Sequence, residues 1–290
     1  MKVTKAVIPL GGLATRFLPA SKSVPKEMFP VIDKPIIQYL VEELSEAGIT
    51  DILFLIGRGR ESLLNHFDKN PELNEHLFKN EKYDLLEPVN KQNKLANCHY
   101  IRCYETNGVA KALLYGENFV GSSPFVVLFG DEMFYNKDIS ATKQMLNEFE
   151  KTNKAVIGCV NVKKEYVSKY GIVDIETKDG VDYVKNMVEK PQPEEAPSTL
   201  ASVGKYVLTS DIFEIIKNNK VLDRERNFTQ ALTELAKQNN LVCVTLDGER
   251  YDTGSKLGYI LANINYALKD ETIKESLLKE MKSIIEKIDK

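Results

Sequence analysis

A glycine turn followed by three cations lies close to the amino-terminal end of this chain. Gly11 and Gly12 come directly after an apolar segment, and Arg16, Lys22 and Lys26 follow them. Without a Cβ atom, glycine lets the backbone approach an anion, and the N–H groups of such a turn point at phosphate oxygens. The three cations can neutralise the same negative charge from their side chains. These residue types in this order therefore indicate a site for a polyphosphate.

The spacing of this turn differs from both common phosphate-binding loops. The chain contains no G-x-x-x-x-G-K-[ST] pattern, and the third glycine of G-x-G-x-x-G is missing after Gly12. Those two patterns are typical of ATPases and of dinucleotide-binding enzymes. Both classes are therefore excluded as explanations of the phosphate site.

A dense run of short motifs surrounds the glycine turn, between residues 8 and 35. After the turn, the motifs are Thr15-Arg16, Leu18-Pro19, Pro25-Lys26-Glu27-Met28, Pro30 and Asp33-Lys34-Pro35. On these motifs the chain resembles the sugar-1-phosphate nucleotidylyltransferases, and within them the bacterial uridylyltransferase branch. The resemblance extends over residues 3–268. It implies a reaction in which the phosphate of glucose 1-phosphate attacks the α-phosphorus of UTP, so that UDP-glucose forms and pyrophosphate leaves.

The resemblance implies a role for individual residues of this chain. Arg16 and Lys26 would be the catalytic cations that stabilise the β- and γ-phosphates as pyrophosphate leaves. The positions that match nucleotide contacts of the family are Gly11, Gly12, Glu27, Cys103 and Gly108. The positions that match contacts to the sugar phosphate are Gly171, Glu189, Lys190 and Gly204. His66, in a motif typical of the uridylyltransferase branch, is expected to be structural.

Two aspartates are candidates for a magnesium site. Asp131 follows an apolar segment in Phe129-Gly130-Asp131-Glu132, and Asp252 precedes a glycine in Tyr251-Asp252-Thr253-Gly254. Mg²⁺ takes one or two carboxylates together with substrate phosphates. Since Asp252 matches the second metal aspartate of the family, the resemblance implies that one Mg²⁺ is held between the two. The alternatives are a turn-capping role for Asp131 and a helix-capping role for Asp252.

Four positions depart from the family pattern on its nucleotide-binding side. Ala14 stands where the loop normally has glycine, and Cys103 stands where a glutamine usually reads the uracil edge. Ala110 and Lys111 replace a glycine and a histidine. A thiol is a poor substitute for an amide that has both donors and an acceptor. Two alternatives to UDP-glucose synthesis therefore stay open: a relative with an altered nucleotide or sugar preference, and a catalytically silent paralogue that binds UDP-glucose.

The composition of the whole chain limits the remaining possibilities. With 290 residues and 43% hydrophobic content, the chain is long enough for one large α/β domain. A net charge of −3 argues against a nucleic-acid-binding surface. The four cysteines form no C-x-x-C pair and the three histidines no H-E-x-x-H motif, which argues against disulfides and zinc. Because no apolar run reaches the length of a membrane span, we expect a cytoplasmic protein without nucleic-acid or membrane partners.

Strand-like and helix-like segments alternate in the first half of the chain. The strands are predicted at 5–9, 51–56, 99–104 and 125–129, and the helices at 36–47, 61–67 and 109–118. This alternation predicts a parallel sheet covered by helices, and the ligands of such sheets lie beyond the carboxyl ends of the strands. Gly11 and Asp131 each follow a strand, so we expect both to face one crevice.

Strand-like segments dominate the second half, at 155–162, 171–176, 182–188 and 202–208. Helices are predicted at 211–218 and 229–238, a strand at 241–246, and a helical C-terminal stretch from residue 256. We therefore expect an α/β fold: a Rossmann-like, mostly parallel mixed sheet flanked by helices, with a β-rich extension that binds the sugar. Residues 1–290 would form a single nucleotidyltransferase domain with a nucleotide-binding half (1–150), a sugar-binding half (151–254) and C-terminal helices (255–290). The resemblance also implies a homo-oligomer, either a dimer or a tetramer.

Overall fold

The computed structural model describes residues 2–105, 108–219 and 226–288. The strands are β1 (Lys5–Leu10), β2 (Pro30–Val31), β3 (Lys34–Pro35), β4 (Asp51–Ile56), β5 (Asn97–Arg102), β6 (Phe125–Leu128), β7 (Glu132–Tyr135), β8 (Ala155–Asn161), β9 (Gly171–Lys178), β10 (Val181–Glu189), β11 (Leu200–Leu208), β12 (Leu241–Thr245) and β13 (Glu249–Asp252). The helices are α1 (Ile36–Glu46), α2 (Glu61–Phe67), α3 (Pro71–Lys79), α4 (Tyr83–Gln92), α5 (Val109–Leu114), α6 (Glu117–Val120), α7 (Ala141–Thr152), α8 (Asp211–Asn218), α9 (Arg226–Lys237), α10 (Lys256–Ala267) and α11 (Lys274–Ile288). Short 3-10 turns lie at Thr15–Phe17, Ala20–Lys22, Lys26–Met28 and Lys164–Lys169. Among the described residues, no helix has the length and apolar content that crossing a membrane requires.

Nine of the described strands form one sheet in the order β5-β4-β1-β6-β11-β8-β12-β10-β9. The strands β5, β4, β1 and β6 are parallel to one another, with Ala6 opposite Ile52 on one side and Val126 on the other. Strand β11 is antiparallel to β6 and β8, β12 is parallel to β8, and β10 is antiparallel to both β12 and β9. The predicted α/β fold with a mixed sheet is thereby confirmed, and the β-rich second half extends this same sheet through the pairing of β6 with β11.

Both faces of the central strands are buried. Along β1, Ala6, Ile8 and Leu10 belong to one apolar cluster, which α1 and α7 cover, whereas Val7 belongs to a second cluster with Leu113 of α5. Strands that are buried on both faces have continuous apolar sequences, which explains why β1, β4 and β6 are apparent in the sequence. Because these layers leave no room for a polar ligand, a functional site has to lie beyond the ends of the strands.

A buried ion pair joins the sheet to two helices. Lys205 of β11 is fully buried, and its ammonium group lies 2.8 Å from Oε2 of Glu43 on α1. The other carboxylate oxygen of Glu43 accepts hydrogen bonds from the backbone N–H and the hydroxyl of Thr142 on α7. A buried charge is tolerated where such partners satisfy it. These three residues therefore fix β11 against α1 and α7.

Three helices, α3, α4 and α7, are absent from the sequence-based prediction. In α7, Ala141, Met145 and Phe149 recur every four residues and pack in the core, so the helical pattern is present in the sequence. Its start is also marked, because the side chain of Ser140 accepts a hydrogen bond from the N–H of Lys143. At the C-terminal end, the predicted helical stretch from residue 256 is two helices, α10 and α11.

Two boundaries near the predicted nucleotide side also differ from the prediction. Strand β5 ends at Arg102, so Cys103 follows the strand and does not lie within it. The helix predicted at 109–118 is two short helices, α5 and α6, with Gly116 between them. A Cβ atom at Gly116 would lie 3.2 Å from the carbonyl oxygen of Leu113 and 3.3 Å from the side chain of Leu53. The helix is therefore interrupted where the backbone packs directly against β4.

Candidate active site

A cleft of about 690 Å³ opens beyond the carboxyl ends of β1 and β6. Twelve of the thirteen predicted site residues line it: Gly11, Gly12, Arg16, Lys26, Cys103, Gly108, Asp131, Gly171, Glu189, Lys190, Gly204 and Asp252. The exception is Glu27, whose side chain is 1% exposed. The structure therefore brings the predicted nucleotide side and the predicted sugar side to one cavity, whereas the role of each residue stays a prediction.

Two cations from the amino-terminal loops reach the aspartate end of the cleft. The ammonium group of Lys26 forms an ion pair with Oδ2 of Asp131. Arg16 donates a hydrogen bond from Nη1 to the carbonyl oxygen of Gly254, 3.4 Å away. Lys22, by contrast, is exposed and lies outside the cleft lining. Cationic and acidic side chains hence meet at one point, which suits the joint binding of a polyphosphate and a metal cation.

The two predicted metal aspartates approach each other across the position of a missing side chain. A Cβ atom at Gly254 would lie 2.6 Å from Oδ2 of Asp131 and 3.1 Å from Oδ1 of Asp252. The backbone holds this arrangement, because Thr253 donates two hydrogen bonds of 2.9 Å to the carbonyl oxygen of Asp131. Within the described residues, no group of three or more His, Cys, Asp or Glu side chains is arranged to hold a metal. Two carboxylates at one small space fit a hard cation that takes its remaining ligands from phosphates.

A partly buried ion pair beside these aspartates is absent from the sequence-based prediction. Two guanidinium nitrogens of Arg250 on β13 lie 2.8 and 2.7 Å from the two carboxylate oxygens of Glu132 on β7. Arg250 also donates to the hydroxyl of Tyr170 at 3.1 Å and lies 4.8 Å from the centre of its ring. Burial raises the pKa of the Glu132 carboxyl to about 7, while Arg250 favours its charged form. This pair connects the aspartate end of the cleft to Tyr170, which lines the sugar side.

On the sugar side, a hydrogen bond from α9 holds the carboxylate of Glu189. The hydroxyl of Thr229 donates to Oε2 of Glu189 at 2.6 Å. A Cβ atom at Gly171 would lie 3.1 Å from the same oxygen, so glycine at this position leaves room for the carboxylate. Lys190 follows with a φ of 47°, and its N–H donates to the carbonyl oxygen of Tyr170 at 2.9 Å. The end of β10 thus places Glu189 and Lys190, two of the four predicted sugar-side residues, at the cleft.

Gly204 has a packing role in addition to its place in the lining. Its φ is 65°, in the left-handed region that favours glycine, and a Cβ atom would lie 2.7 Å from the ring of Phe129. The carbonyl oxygen of Gly204 accepts a hydrogen bond from the N–H of Phe129 at 2.8 Å. The packing of the protein itself therefore requires glycine here, whether or not a sugar is bound.

Glu27, the predicted nucleotide contact that does not line the cleft, is paired inside the protein. Oε2 of Glu27 lies 3.5 Å from Nη1 of Arg60, and both side chains are buried. Arg60 is absent from the sequence-based prediction, because the two partners are 33 positions apart and neither one marks the other. The structure therefore gives Glu27 an internal partner, and its contact with a nucleotide stays a prediction.

The four departures from the family pattern fall into two groups. Ala14 and Cys103 line the cleft, and burial raises the pKa of the Cys103 thiol. Ala14 has a φ of 51° and a ψ of 40°, a left-handed conformation that costs a non-glycine residue about 1–2 kcal/mol. Ala110 is fully buried in the core and Lys111 is exposed, and neither lines the cleft. Only the first two departures are therefore placed to affect a ligand directly.

His66 also lies outside the cleft lining. Its Nε2 atom is 3.0 Å from Oε1 of Gln38 on α1, and its backbone carbonyl accepts a hydrogen bond from the side chain of Gln92 on α4. Burial lowers the pKa of the imidazole and thus favours its neutral form. These contacts connect α2 to α1 and α4, in agreement with the structural role that the sequence suggests.

Comparison with known proteins agrees with this combination of fold and cleft. The chain belongs to the nucleotidyl transferase family, whose sequence profile matches residues 5–269. It is 41% identical over 288 residues to the UTP–glucose-1-phosphate uridylyltransferase of Bacillus subtilis (strain 168), a match that covers 99% of this chain and 98% of that protein. The family resemblance carried by the amino-terminal motifs is thereby confirmed.

Solved structures give the same result. A UTP-bound UGPase from Acinetobacter baumannii superposes with a TM-score of 0.89 at 33% identity, covering 97% of this chain and 99% of that one. A UDP-glucose pyrophosphorylase complexed with UDP-glucose superposes with a TM-score of 0.83 at 37% identity, covering 93% of this chain and 100% of that one. The similarity to these enzymes therefore extends over nearly the whole chain.

Proposed function

We propose that this protein transfers the uridylyl group of UTP to glucose 1-phosphate, forming UDP-glucose and releasing pyrophosphate. The observation that carries the proposal is the meeting of charges in one cleft, where Lys26 pairs with Asp131 and Arg16 contacts the backbone of Gly254. Relatives that are 41% and 42% identical to this chain are UTP–glucose-1-phosphate uridylyltransferases. Similar solved structures hold UTP and UDP-glucose.

The two cations address the main difficulty of this reaction, which is the repulsion between two anions. At an effective dielectric constant of about 20, two unit charges 4 Å apart repel by about 4 kcal/mol. Phosphoryl and nucleotidyl transfer therefore depend on alignment and charge neutralisation more than on a covalent nucleophile. Arg16 and Lys26 would neutralise the leaving pyrophosphate, and the turn at Gly11 and Gly12 would bind the triphosphate through backbone N–H groups.

We further propose that Asp131 and Asp252 hold Mg²⁺. The bound ion would supply neutralising charge and a template for the phosphates of the two substrates. The space between the two carboxylates, which the absent side chain of Gly254 leaves open, supports this assignment. With Mg²⁺ bound to Asp131, Lys26 would pair with the substrate phosphates instead.

For the sugar phosphate, we propose Glu189 and Lys190 as the main side-chain contacts. A carboxylate accepts hydrogen bonds from sugar hydroxyls, and an ammonium group binds phosphate. Thr229 would orient Glu189 through the 2.6 Å hydrogen bond. Gly171 and Gly204 line the same side and would let the hexose approach the backbone.

Release of pyrophosphate from UTP and glucose 1-phosphate tests the proposed reaction. We expect Mg²⁺-dependent turnover by the wild-type protein and a loss of roughly 10³-fold in Asp131→Asn, with the unfolding transition unchanged. Wild-type rates in that variant would remove Asp131 from the mechanism. Protein that binds UDP-glucose but releases no pyrophosphate would contradict the proposal and establish a silent paralogue.

The same assay with UTP, dTTP and CTP tests the nucleotide preference. We expect UTP to be used best. Equal turnover of all three would instead show a relaxed base preference, with Cys103 as the residue to examine, since its thiol lies in the cleft lining.

We also infer a cytoplasmic homo-oligomer, either a dimer or a tetramer. Large apolar side chains are exposed along α10 and α11, namely Leu257, Ile260, Ile284, Ile285 and Ile288, and such a surface supports contact with a second copy. The four cysteines are free, which supports a reducing compartment. Light scattering of the purified protein tests the assembly, and a monomer at high micromolar concentration would contradict it.

A further inference from the structure

Arg60 occupies an unusual place for a cation, directly beneath the glycine turn. It lies between β4 and α2, and its side chain is buried. Its Nε atom donates to the carbonyl oxygen of Leu10, and Nη2 donates to the carbonyl oxygen of Gly12 at 2.7 Å. The remaining nitrogen, Nη1, lies 3.5 Å from the carboxylate of Glu27. One guanidinium group thus contacts the end of β1, the backbone of the turn and a buried acid.

Glu27 connects this guanidinium to the aspartate end of the cleft. A Cβ atom at Gly130 would lie 3.1 Å from Cγ of Glu27 and would also meet the side chain of Leu10. The Glu27 side chain therefore packs against the backbone that immediately precedes Asp131. Glu27 also directly follows Lys26 in the chain, and the ammonium group of Lys26 pairs with Asp131. The buried pair accordingly contacts all three segments that surround the proposed triphosphate position.

The partial charges of the backbone explain how Arg60 and Glu27 can orient the glycine turn. A turn binds an anion when its N–H groups face the ligand, and its carbonyl oxygens, which carry partial negative charge, have to face elsewhere. Arg60 engages the carbonyl oxygens of Leu10 and Gly12 from the protein interior. Glu27 balances the buried guanidinium, which would otherwise be costly to place in the interior. Lysine could not replace Arg60 fully, because an ammonium group lacks the planar fork that reaches three partners.

We propose that Arg60 and Glu27 are positioning residues whose buried ion pair holds the glycine turn, the Lys26 segment and the Asp131 segment in the arrangement that accepts the triphosphate of UTP. This inference rests on the proposed function for the identity of the nucleotide. It assigns Glu27 an action through Arg60 and no direct contact with the nucleotide. The consequence is that disturbing either residue impairs the handling of UTP while leaving the sugar side intact.

The test compares Arg60→Met, Glu27→Gln and the double variant with the wild-type protein. Arg58→Met is the matched control, because Arg58 is an exposed cation two positions away in the same loop. We expect kcat/KM for UTP to fall about 10²-fold in Arg60→Met, as for a misplaced reacting group, while KM for glucose 1-phosphate changes less than about twofold. Arg60→Lys should recover part of the loss, and Arg58→Met should behave as wild type.

The double variant separates positioning from direct contact. If Glu27 acts only through Arg60, adding Glu27→Gln to Arg60→Met causes no further loss in kcat/KM for UTP. Losses that multiply would mean that Glu27 contacts the nucleotide itself, and would overturn the proposal. A wild-type KM for UTP in Arg60→Met, with only a lowered melting temperature, would overturn it as well. Should Arg60→Met fail to fold, Glu27→Gln, which keeps the shape of the side chain, carries the same expectation of weakened UTP use and an unchanged KM for glucose 1-phosphate.

Calorimetric titration of UTP, without glucose 1-phosphate, keeps this test independent of the proposed reaction. If the wild-type protein binds UTP but does not turn it over, the proposed function fails, and weaker UTP binding by both single variants still supports the positioning role. If all variants bind UTP as the wild type does, the positioning role fails whatever the activity of the protein.

Discussion

The proposed nucleotide side and the proposed sugar side of the cleft offer different parts of the chain to a ligand. On the nucleotide side, the turn at Gly11 and Gly12 offers backbone groups, and Arg60 holds two carbonyl oxygens of that region from below. On the sugar side, Glu189 offers a carboxylate that Thr229 orients through a hydrogen bond. In these two contacts, the proposed nucleotide side depends on backbone conformation, whereas the proposed sugar side depends on the identity of side chains. Substitutions should accordingly act on the first through geometry and on the second through lost functional groups.

The two sides meet at Asp131 and Asp252, where contacts from both sides occur. Asp131 follows β6 and pairs with Lys26 from the nucleotide side. Next to it, Glu132 pairs with Arg250, which reaches Tyr170 on the sugar side. A substitution near these aspartates should therefore affect the use of both substrates. Such a substitution is the strictest test of whether the two sides act separately.

Among the substitutions that compare the two sides, Gly254→Ala is expected to have the largest effect, because it places a methyl group between the two aspartates. The new Cβ atom would lie 2.6 Å from Oδ2 of Asp131 and 3.1 Å from Oδ1 of Asp252, where we propose that Mg²⁺ binds. We expect kcat to fall roughly 10²-fold and the Mg²⁺ concentration for half-maximal rate to rise. The measurement is pyrophosphate release over a range of Mg²⁺ concentrations.

The control for Gly254→Ala is the stability of its fold. The backbone of Gly254 does not have the positive φ that excludes alanine, and the new Cβ atom would meet the ends of two aspartate side chains, which can turn away. The free energy of unfolding should therefore change by no more than about 2 kcal/mol. Full activity at ordinary Mg²⁺ concentration would show that the aspartates do not share an ion at this position.

Local features of the site are predictable from the sequence, and long-range partners are not. The glycine turn, Lys26 and Asp131, which lies in the turn after β6, carry their signal within a few neighbouring residues, so each is predicted and each lines the cleft. Arg250 and Glu132 are 118 positions apart, and their pairing depends on the contact between β7 and β13. Nothing in either segment alone indicates the other, which is why this pair becomes apparent only in the fold.

The elements of the fold follow the same rule. Strands such as β1 and β6 are buried on both faces, so their apolar sequences predict them directly. The small sheet of β7 and β13 joins segments from distant parts of the chain, and its short strands have no comparable apolar run. Cys103 illustrates the limit at a boundary, since β5 ends one residue before it and the predicted register does not apply.

Thr229→Val sharpens the comparison on the sugar side, with an intermediate effect. The variant removes the hydroxyl that donates to Oε2 of Glu189 and keeps the size of the side chain. A hydrogen bond to a charged group contributes about 1.5–3 kcal/mol, so KM for glucose 1-phosphate should rise about tenfold or more. We expect KM for UTP to stay within about twofold of the wild-type value, as measured by steady-state kinetics with each substrate varied in turn.

A matched control lies one turn further along α9. The hydroxyl of Thr233 donates to the backbone carbonyl of Thr229 at 2.9 Å and lies outside the cleft lining. Thr233→Val should therefore leave both KM values unchanged. Equal rises for the two substrates in Thr229→Val would mean that α9 supports the whole cleft and would remove the distinction between its sides.

Ala14→Gly tests the dependence of the nucleotide side on backbone conformation, and its expected effect is the smallest. Ala14 is held at φ 51° and ψ 40°, where a Cβ atom costs about 1–2 kcal/mol, and the greater freedom of glycine in the unfolded chain offsets part of the gain. The free energy of unfolding should therefore rise by about 0.5–1 kcal/mol, measured as a higher denaturant midpoint at an unchanged m-value.

Ala20→Gly, in the exposed 3-10 turn Ala20–Lys22, has no such strain to relieve and should lower stability by about 0.5–1 kcal/mol. Both substitutions remove one methyl group from the same loop region. Stability changes of opposite sign would therefore show that backbone conformation decides the outcome. The same sign would mean that the left-handed position of Ala14 carries no strain, and that this part of the turn does not depend on conformation in the way the nucleotide side requires.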